Sequence, residues 1–236
     1  LKRYPKVVGG TSPEATDRAV EFYRAVLEPD TDVRPMASVE AAEMTKLAET
    51  TYRDVNIALA NEFAQVADRH GLEVSEIIAA ANSQPYSHIH QPGVGVGGHC
   101  IPVYPHLLFR DEPALRIPPL SREVNDGMAG YAVGRLAQAL GPLEGVAVLV
   151  LGIGYRGDVR EDFFSSALLL REALMAAGAS VHGHDPYFDA EHLRRRGFVP
   201  YDLSAPVPVR AVILQAFHAA YRDLDPSAFP GLEVFL

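Results

Sequence analysis

The sequence predicts an α/β fold with a helical middle section and a parallel sheet in its last third. Three segments carry this prediction: a strand–helix–strand pattern over residues 6–36, a long helical pattern over residues 38–71, and strands that alternate with a helix from residue 146 onward. Strands that alternate with helices are typical of parallel sheets. A chain of 236 residues has the length of one or two domains.

The first segment predicts a strand at 6–10, a helix over 11–27 and a second strand at 32–36. Ser12 is suited to cap the helix, and Pro13 stands at its first position. So few residues cannot bury a core of their own. We therefore expect this segment to be the end of a larger α/β domain, and both ends of the chain to be cut.

Residues 38–71 predict a single helix, because apolar side chains recur along them at three- and four-residue steps. Ser38 and Gly71 are suited to its two ends. A helix of about 50 Å usually forms a spine between domains or a contact between subunits. It also carries more polar residues than a plain core helix, so we expect part of it to border a site or a partner. These residues are Arg53, Asp54, Asn56, Asn61 and Glu62.

The rest of the chain continues this alternation. Further helices are expected at 74–83 and over 122–140, with the glycine loop and a short segment near 104–110 between them, and a helix in the last third is expected at 165–178. Strands are expected from 146 into a glycine turn that ends at 158, and at 179–186, 209–217 and 232–236.

Composition excludes several classes of function. A net charge of −9 argues against non-specific binding to nucleic acid or to an anionic membrane. The only cysteine is Cys100, so an internal disulfide is excluded. Because no signal-like or 18-residue apolar run is present either, the cytoplasm is the expected compartment. No metal site is expected.

Two glycine clusters are candidate sites, and the first is GIGYRG at 152–157. It follows a strand and fits the G-x-G-x-x-G pattern of dinucleotide loops, and Asp185 ends the next strand. A tight strand-to-helix crossing uses the same glycines, and the charged segment after Gly157 is a poor helix start. An NAD site and a loop that binds only a nucleotide phosphate both remain open.

The second cluster, GVGVGGHCIP at 93–102, contains Cys100. Glycines let a backbone approach a ligand closely, and a nucleophilic thiol needs access and a nearby positive charge to become a thiolate. His99 and Lys46 are candidates for that charge. The alternatives are a buried, inert Cys100 and a solvated Lys46 paired with Glu43.

Four segments together resemble the nucleotide-sugar dehydrogenases that oxidise UDP-glucose, GDP-mannose or UDP-N-acetylmannosamine. They are residues 45–64, 82–103, 121–126 and 150–158, which match in order and spacing. The resemblance covers essentially the whole chain. The loop QPGVGVGGHCIPV is most similar to the UDP-N-acetyl-D-mannosamine dehydrogenase branch.

The resemblance implies three parts. Residues 1–37 would be the remnant of an N-terminal NAD-binding Rossmann domain, 38–141 a central helical dimerisation and catalytic domain, and 142–236 a Rossmann-like UDP-sugar-binding domain with its C-terminal end cut. NAD is the implied cofactor, a homodimer through the 38–71 helix is the implied assembly, and polysaccharide synthesis is the implied context. GIGYRG then belongs to the UDP-sugar domain, so the NAD-binding residues of this chain are unknown.

The implied chemistry is a four-electron oxidation of the sugar C6 alcohol to a carboxylate, with NAD accepting a hydride twice. Cys100 attacks the intermediate aldehyde to give a thiohemiacetal, and oxidation gives a thioester that water hydrolyses. Lys46 matches the cation that stabilises the oxyanion, and Thr50 stands where the family has asparagine. The implied substrate-binding residues are Gly95, Gly97, Gly98, His99, Tyr155 and Arg156.

Several positions depart from the family pattern. Besides Thr50, Tyr104 replaces an aspartate that manages protons and water, Tyr86 stands where many relatives have arginine, and Arg156 replaces a lysine. Tyrosine, with a pKa of about 10, is a poor substitute for a carboxylate base. The alternative hypothesis is therefore a non-catalytic UDP-sugar-binding and dimerisation fragment or a decayed copy.

Overall fold

The computed structural model describes residues 4–236, and the described residues form seven α-helices and seven strands. The helices are α1 (Pro13–Val26), α2 (Val39–His70), α3 (Val74–Ala81), α4 (Tyr104–Asp111), α5 (Ile117–Leu140), α6 (Ser166–Ala176) and α7 (Ala190–Arg195). The strands are β1 (Lys6–Val8), β2 (Val33–Pro35), β3 (Ala147–Leu151), β4 (Ser180–His184), β5 (Val199–Pro200), β6 (Ala211–Leu214) and β7 (Val234–Phe235). The chain divides into two compact units, the first ending at Tyr52 and the second beginning at Arg53.

The first unit contains the predicted strand–helix–strand. β1 and β2 pair in parallel, and α1 connects them. The Ser12 hydroxyl accepts a hydrogen bond from the Ala15 amide, as expected of an N-cap. Val8, Val20 and Val33 form its buried cluster, which is small, as the length of the segment predicted.

Helix α2 begins in the first unit and continues into the second. The Ser38 hydroxyl accepts a hydrogen bond from the Ala41 amide at 3.2 Å, and Gly71 follows the last turn with a φ of 65°. That left-handed conformation is the one in which glycine ends helices. The predicted long helix over 38–71 is confirmed at both ends.

The second unit contains a five-stranded parallel sheet in the order β5-β4-β3-β6-β7. Central strand β3 is buried on both faces because its side chains alternate between them. Val148 and Val150 pack on the face covered by α5 and α6, whereas Leu149 and Leu151 pack on the other. The prediction of a parallel α/β sheet with a helical section before it is confirmed.

This strand order reverses direction between β3 and β6. In open parallel sheets, ligands bind outside the carboxyl ends of the strands at such a reversal. The two segments that leave this edge are GIGYRG, after β3, and residues 215–218, after β6. The fold therefore places the first glycine cluster at the expected ligand-binding edge.

The structure differs from the predictions in a few elements. Helix α5 begins at Ile117 rather than at 122, because Pro118 and Pro119 occupy its first turn, where a missing amide proton costs no hydrogen bond. Helix α7 and strand β5 were not predicted. Among the residues that the structure describes, no helix is both long and apolar enough to cross a membrane.

Candidate active site

A cavity of about 530 Å³ in the second unit brings the two glycine clusters together. The second cluster lines it on one side, and Tyr155 and Arg156 of the first cluster line it on the other. The volume is in the range of small-molecule sites. Seven residues predicted from the sequence line it: Gly95, Gly97, Gly98, His99, Cys100, Tyr155 and Arg156.

Asparagines of α2 hold the chain that leads into the second cluster. Asn56 accepts a hydrogen bond from the His90 amide at 2.8 Å and donates to the His88 carbonyl at 2.7 Å. Asn61 accepts one from the Gly93 amide at 2.9 Å. The loop lacks a strand partner, so these side chains supply the bonds that its backbone needs.

A buried polar network stands behind these asparagines. Asn125 accepts a hydrogen bond from Asn61 at 2.9 Å and donates to the Asp54 carboxylate at 2.7 Å. Arg122 contacts the same carboxylate at 2.6 Å. Burial raises the pKa of the Asp54 carboxyl, although Arg122 acts in the opposite direction. The polar residues of α2 thus support the loop that carries Cys100, which explains why this helix is not a plain core helix.

The glycines of the second cluster are needed for packing within the protein. A Cβ on Gly97 would lie 2.9 Å from both the Phe164 carbonyl oxygen and the Tyr155 Cβ. Gly98 has a φ of 99°, and its Cβ would lie 3.1 Å from the Tyr155 ring. The sequence analysis assigned these glycines to ligand approach, but the structure shows that they also seat the loop against residues 155–165.

Cys100 lies at the end of this loop and is half-buried. Its carbonyl accepts hydrogen bonds from the amides of Val103 and Tyr104, at 3.2 and 2.9 Å, as the chain turns into α4. Tyr104, the first residue of α4, is also half-buried. The thiol therefore belongs to a residue that lines the cavity and not to the apolar core.

The side chain of His99 is held by two residues that the sequence analysis did not identify. Its ring is stacked on Phe163, with centroids 4.6 Å apart and planes at 5°. Its Nε2 lies 3.5 Å from Glu161 Oε2. Both partners belong to the charged and aromatic segment after Gly157, which was noted only as a poor helix start.

Two arginines line the cavity although the chain as a whole is acidic. They are Arg53 and Arg156, and none of the described residues that line it is an aspartate or glutamate, although Glu161 lies beside His99. The Arg156 guanidinium lies over the Tyr155 ring, 5.6 Å from its centroid. Guanidinium groups bind phosphate oxygens well, so the cavity suits a phosphorylated ligand.

GIGYRG does not fit a dinucleotide, because two of its amides are already bonded to a buried carboxylate of the protein. The Asp185 carboxylate is 3% exposed and accepts hydrogen bonds from the amides of Ile153 and Gly154, at 2.7 and 2.9 Å. His218 Nε2 lies 3.1 Å from the same carboxylate. In a dinucleotide site these amides face the pyrophosphate. The interpretation of GIGYRG as an NAD site, or as a phosphate site on these amides, is therefore not supported.

Lys46 and Thr50 lie on α2 in the first unit. Lys46 is exposed, and its Nζ lies 2.7 Å from Glu49 rather than pairing with Glu43 as the alternative proposed. Thr50 is buried, and its hydroxyl donates to the carbonyls of Lys46 and Leu47, at 2.9 and 3.1 Å. Its proton is therefore engaged within the helix.

Two further points concern the position of Tyr86 and the search for a metal site. Tyr86 is 95% exposed, and it is not among the residues that line the cavity. Across residues 4–236, no three histidine, cysteine, aspartate or glutamate side chains are grouped as a metal ion would require.

Comparison with known proteins gives consistent matches. The family model "UDP-glucose/GDP-mannose dehydrogenase family, central domain" matches residues 40–126. UDP-N-acetyl-D-mannosamine dehydrogenase of Pyrococcus horikoshii is 37% identical over 193 residues, which are 79% of this chain and 45% of that protein. The enzyme of the same name from Methanocaldococcus jannaschii is 33% identical over 224 residues, or 93% of this chain and 50% of that protein.

A solved structure gives the same result for the fold. The structure of UDP-D-ManNAc dehydrogenase from Pyrococcus horikoshii is similar with a TM-score of 0.87 and 31% sequence identity. The match covers 99% of this chain and 56% of that one. This chain thus spans about half the length of the proteins that it matches.

Proposed function

Because this chain belongs to the UDP-glucose/GDP-mannose dehydrogenase family, we propose that it serves the four-electron oxidation of the C6 alcohol of a UDP-hexose to a carboxylate. The family resemblance drawn from the sequence is confirmed by these matches. We propose UDP-N-acetyl-D-mannosamine as the substrate, since the relatives reported above bear that name. The observation that carries the proposal is the cavity that combines Cys100 with Tyr155 and Arg156.

The cavity supplies the groups that a UDP-sugar requires. Arg53 and Arg156 offer guanidinium donors to the two phosphates, and the Tyr155 ring offers a face for the uracil base. Gly95, Gly97, Gly98 and His99 lie beside Cys100 along the cavity and would border the sugar. Ligand and thiol would then share one cavity, which brings the reacting groups together as covalent catalysis needs.

The proposed chemical role of Cys100 is to hold the aldehyde covalently. Its thiolate attacks the aldehyde carbon, a C–S bond forms, and the aldehyde oxygen takes up a proton to give a thiohemiacetal. We propose Lys46 as the cation that stabilises the oxygen, with Thr50 beside it on α2. Both assignments depend on the family resemblance. The Thr50 proton would first have to leave its carbonyl partners in the helix.

NAD is the proposed hydride acceptor, again by family resemblance. The one loop of the described residues with a dinucleotide pattern, GIGYRG, does not fit it, because the amides of Ile153 and Gly154 already donate to the Asp185 carboxylate. We therefore assign no residue of this chain to NAD and derive no step of the reaction through it.

The remaining proposals concern organisation and context. We propose the division into residues 1–37, 38–141 and 142–236, a homodimer formed through α2, a cytoplasmic location, and a role in polysaccharide synthesis. The division, the homodimer and the role in polysaccharide synthesis follow from the resemblance, and the location follows from the sequence composition. The exposed apolar side chains of α2 support the homodimer.

A second candidate is a UDP-sugar-binding protein without catalysis. The observation that favours it is Tyr104, which stands where the family has an aspartate and whose phenol is a poor base. Thr50, with its proton engaged in the helix, also favours it. Both candidates share the same cavity and differ only in turnover.

Calorimetry with UDP-N-acetyl-D-mannosamine, and a separate assay of NADH formation with the same sugar nucleotide, test both candidates. Binding with steady turnover supports the dehydrogenase, and binding without turnover supports the second candidate. Absence of binding contradicts both. UDP-N-acetylglucosamine, which differs only at C2 of the sugar, tests the choice of substrate.

Substitution of Arg156 tests whether the diphosphate binds in this cavity. Arg156→Gln should weaken binding of the UDP-sugar about tenfold or more, because a charge-assisted hydrogen bond to phosphate is lost. Arg24→Gln, on the exposed surface of α1, is the control and should bind as the unaltered chain does. Equal affinities of the two variants would contradict the placement of the diphosphate.

A further inference from the structure

We propose that His99 is the general base that hydrolyses an acyl group carried by Cys100, and that Glu161 and Phe163 position it. The inference rests on the proposed function, in which Cys100 carries the sugar as a thioester. It assigns to this cavity a hydrolytic activity that needs neither the cofactor nor the sugar nucleotide.

A base is needed because water alone attacks thioesters slowly at neutral pH. Tyr104 is a poor candidate, because a neutral phenol accepts a proton weakly. None of the described residues lining the cavity carries a carboxylate. His99 is the one lining side chain with a nitrogen that can take up a proton near neutral pH.

The surroundings of His99 are those of a positioned base. Its Nε2 faces Glu161 at 3.5 Å, and the parallel stack on Phe163 fixes the plane of the ring. Glu161 is itself held, because its Oε1 accepts a hydrogen bond from the Phe163 amide at 3.0 Å. A carboxylate beside an imidazole favours the tautomer with its proton on the facing nitrogen and favours the imidazolium that forms during the reaction.

Because Nε2 of His99 faces Glu161, Nδ1 is the nitrogen that we assign to take a proton from water. Of the charged groups near it, Glu161 faces the opposite nitrogen, and Arg53 and Arg156 line the same cavity. Cys100 is the next residue in the chain and lines the same volume.

The step balances without an oxidant or a reductant. The water oxygen attacks the thioester carbon while Nδ1 takes a proton from the water. The C–S bond then breaks, and its electron pair returns to Sγ. The imidazolium gives its proton to the thiolate, so the carboxylic acid leaves and both side chains return to their initial states.

Acylation by p-nitrophenyl acetate tests the proposal. Because Cys100 is the only cysteine, a hydroxylamine-sensitive acetyl group that is absent from the Cys100→Ser variant marks this residue. Its formation and release are followed by intact mass, with Cys100→Ser as the blank. His99→Gln should slow release on the order of 10²-fold, as expected for loss of a general base. His70→Gln is the same chemical change at the exposed end of α2, and it should release the acetyl group at the original rate.

The roles of Glu161 and Phe163 are tested by the pH dependence of acetyl release. Glu161→Gln should slow release less than His99→Gln does, and should move the acidic fall in the release rate to lower pH. The direction follows because the imidazolium loses the carboxylate that stabilises it. Phe163→Leu should slow release without moving the pH profile. A purely structural role of Glu161 would leave the pH profile in place.

Three results would overturn the proposal. His99→Gln could release the acetyl group at the original rate, or it could slow only the formation of the acetyl group and not its release. The unaltered chain could also fail to release the acetyl group at all. Calorimetry with the UDP-sugar on the same preparations separates this inference from the proposed function. A chain that releases acetate through His99 but binds no UDP-sugar would contradict the substrate and retain the base.

Discussion

At Gly97 the loop of Cys100 closely approaches GIGYRG and the segment that follows it. The missing Cβ of Gly97 leaves room for a backbone carbonyl and for the Cβ of Tyr155. Neither group is the flexible end of a side chain, so neither can move aside easily. Gly93, in the same loop, has no such neighbour, since its nearest atom beyond adjacent residues would be 3.9 Å away.

We expect Gly97→Ala to lower the free energy of unfolding by about 1–3 kcal/mol, the usual cost of overpacking. Gly93→Ala is the matched control and should change it by less than about 0.5 kcal/mol. Urea unfolding measures both. Equal effects of the two substitutions would mean that the approach at Gly97 is not maintained in solution.

At the scale of elements, Asp162 joins the segment between β3 and α6 to α7 through hydrogen bonds. This carboxylate accepts hydrogen bonds from Arg196, at 2.6 and 2.7 Å, and lies 2.7 Å from His192 Nε2. Burial would raise the pKa of Asp162, but the bonds from Arg196 and His192 outweigh it and lower that pKa. The same segment carries Glu161 and Phe163, so α7 indirectly supports the neighbourhood of His99.

Asp162→Asn should therefore destabilise the chain by about 1–3 kcal/mol at pH 7. Because the folded-state pKa is lowered, the contribution of Asp162 is present above the ordinary aspartate pKa of about 4 and is lost as the pH falls through the folded-state value. The difference from the unaltered chain should shrink from pH 5 to pH 3 in urea unfolding. Asp223→Asn, at an exposed position, is the control, and a difference that stays constant with pH would contradict the assignment.

The elements also show how far the sequence predicts the fold. Strands β3 and β6 were predictable because each is an apolar run bounded by turn residues, whereas β4 (SVHGH) was predictable only from its place between a helix and an acidic turn. Helix α7 has six residues and β5 has two, which is too short for a periodic pattern. Strand β5 forms because it pairs with β4, through His182 and Val199, and that register depends on the folded sheet.

The candidate site was predictable to a similar degree. The glycine loop, Cys100, Tyr155 and Arg156 stood out because their motifs are continuous in sequence. The stacking of His99 on Phe163 joins residues far apart in the chain, so no local pattern indicates it. The bonds from Ile153 and Gly154 to Asp185 were missed for a different reason, since an acidic residue after the second strand is also part of the dinucleotide pattern.

At the scale of the whole molecule, α2 carries apolar side chains that the rest of the chain leaves exposed. Leu59, Phe63 and Val66 are 43%, 38% and 44% exposed and recur at four- and three-residue steps on one side of the helix. Such a row is typical of a helix that packs against another helix. A second copy of α2 is the partner proposed above.

We expect the chain to sediment as a dimer, and Phe63→Glu to sediment as a monomer with an unchanged circular dichroism spectrum. The charge would be buried without a counter-ion at the contact between copies, which is costly. Met175→Glu places the same charge on an exposed part of α6 and should remain dimeric. A monomeric unaltered chain would contradict the assembly.

The carboxylate of Asp185 has a consequence for which anions the loop after β3 can bind. Because this carboxylate already accepts hydrogen bonds from the loop amides, it leaves them no proton for a second anion. Asp185→Gly would leave two amides without an acceptor and His218 without its carboxylate. The vacated position would then attract inorganic phosphate or sulfate.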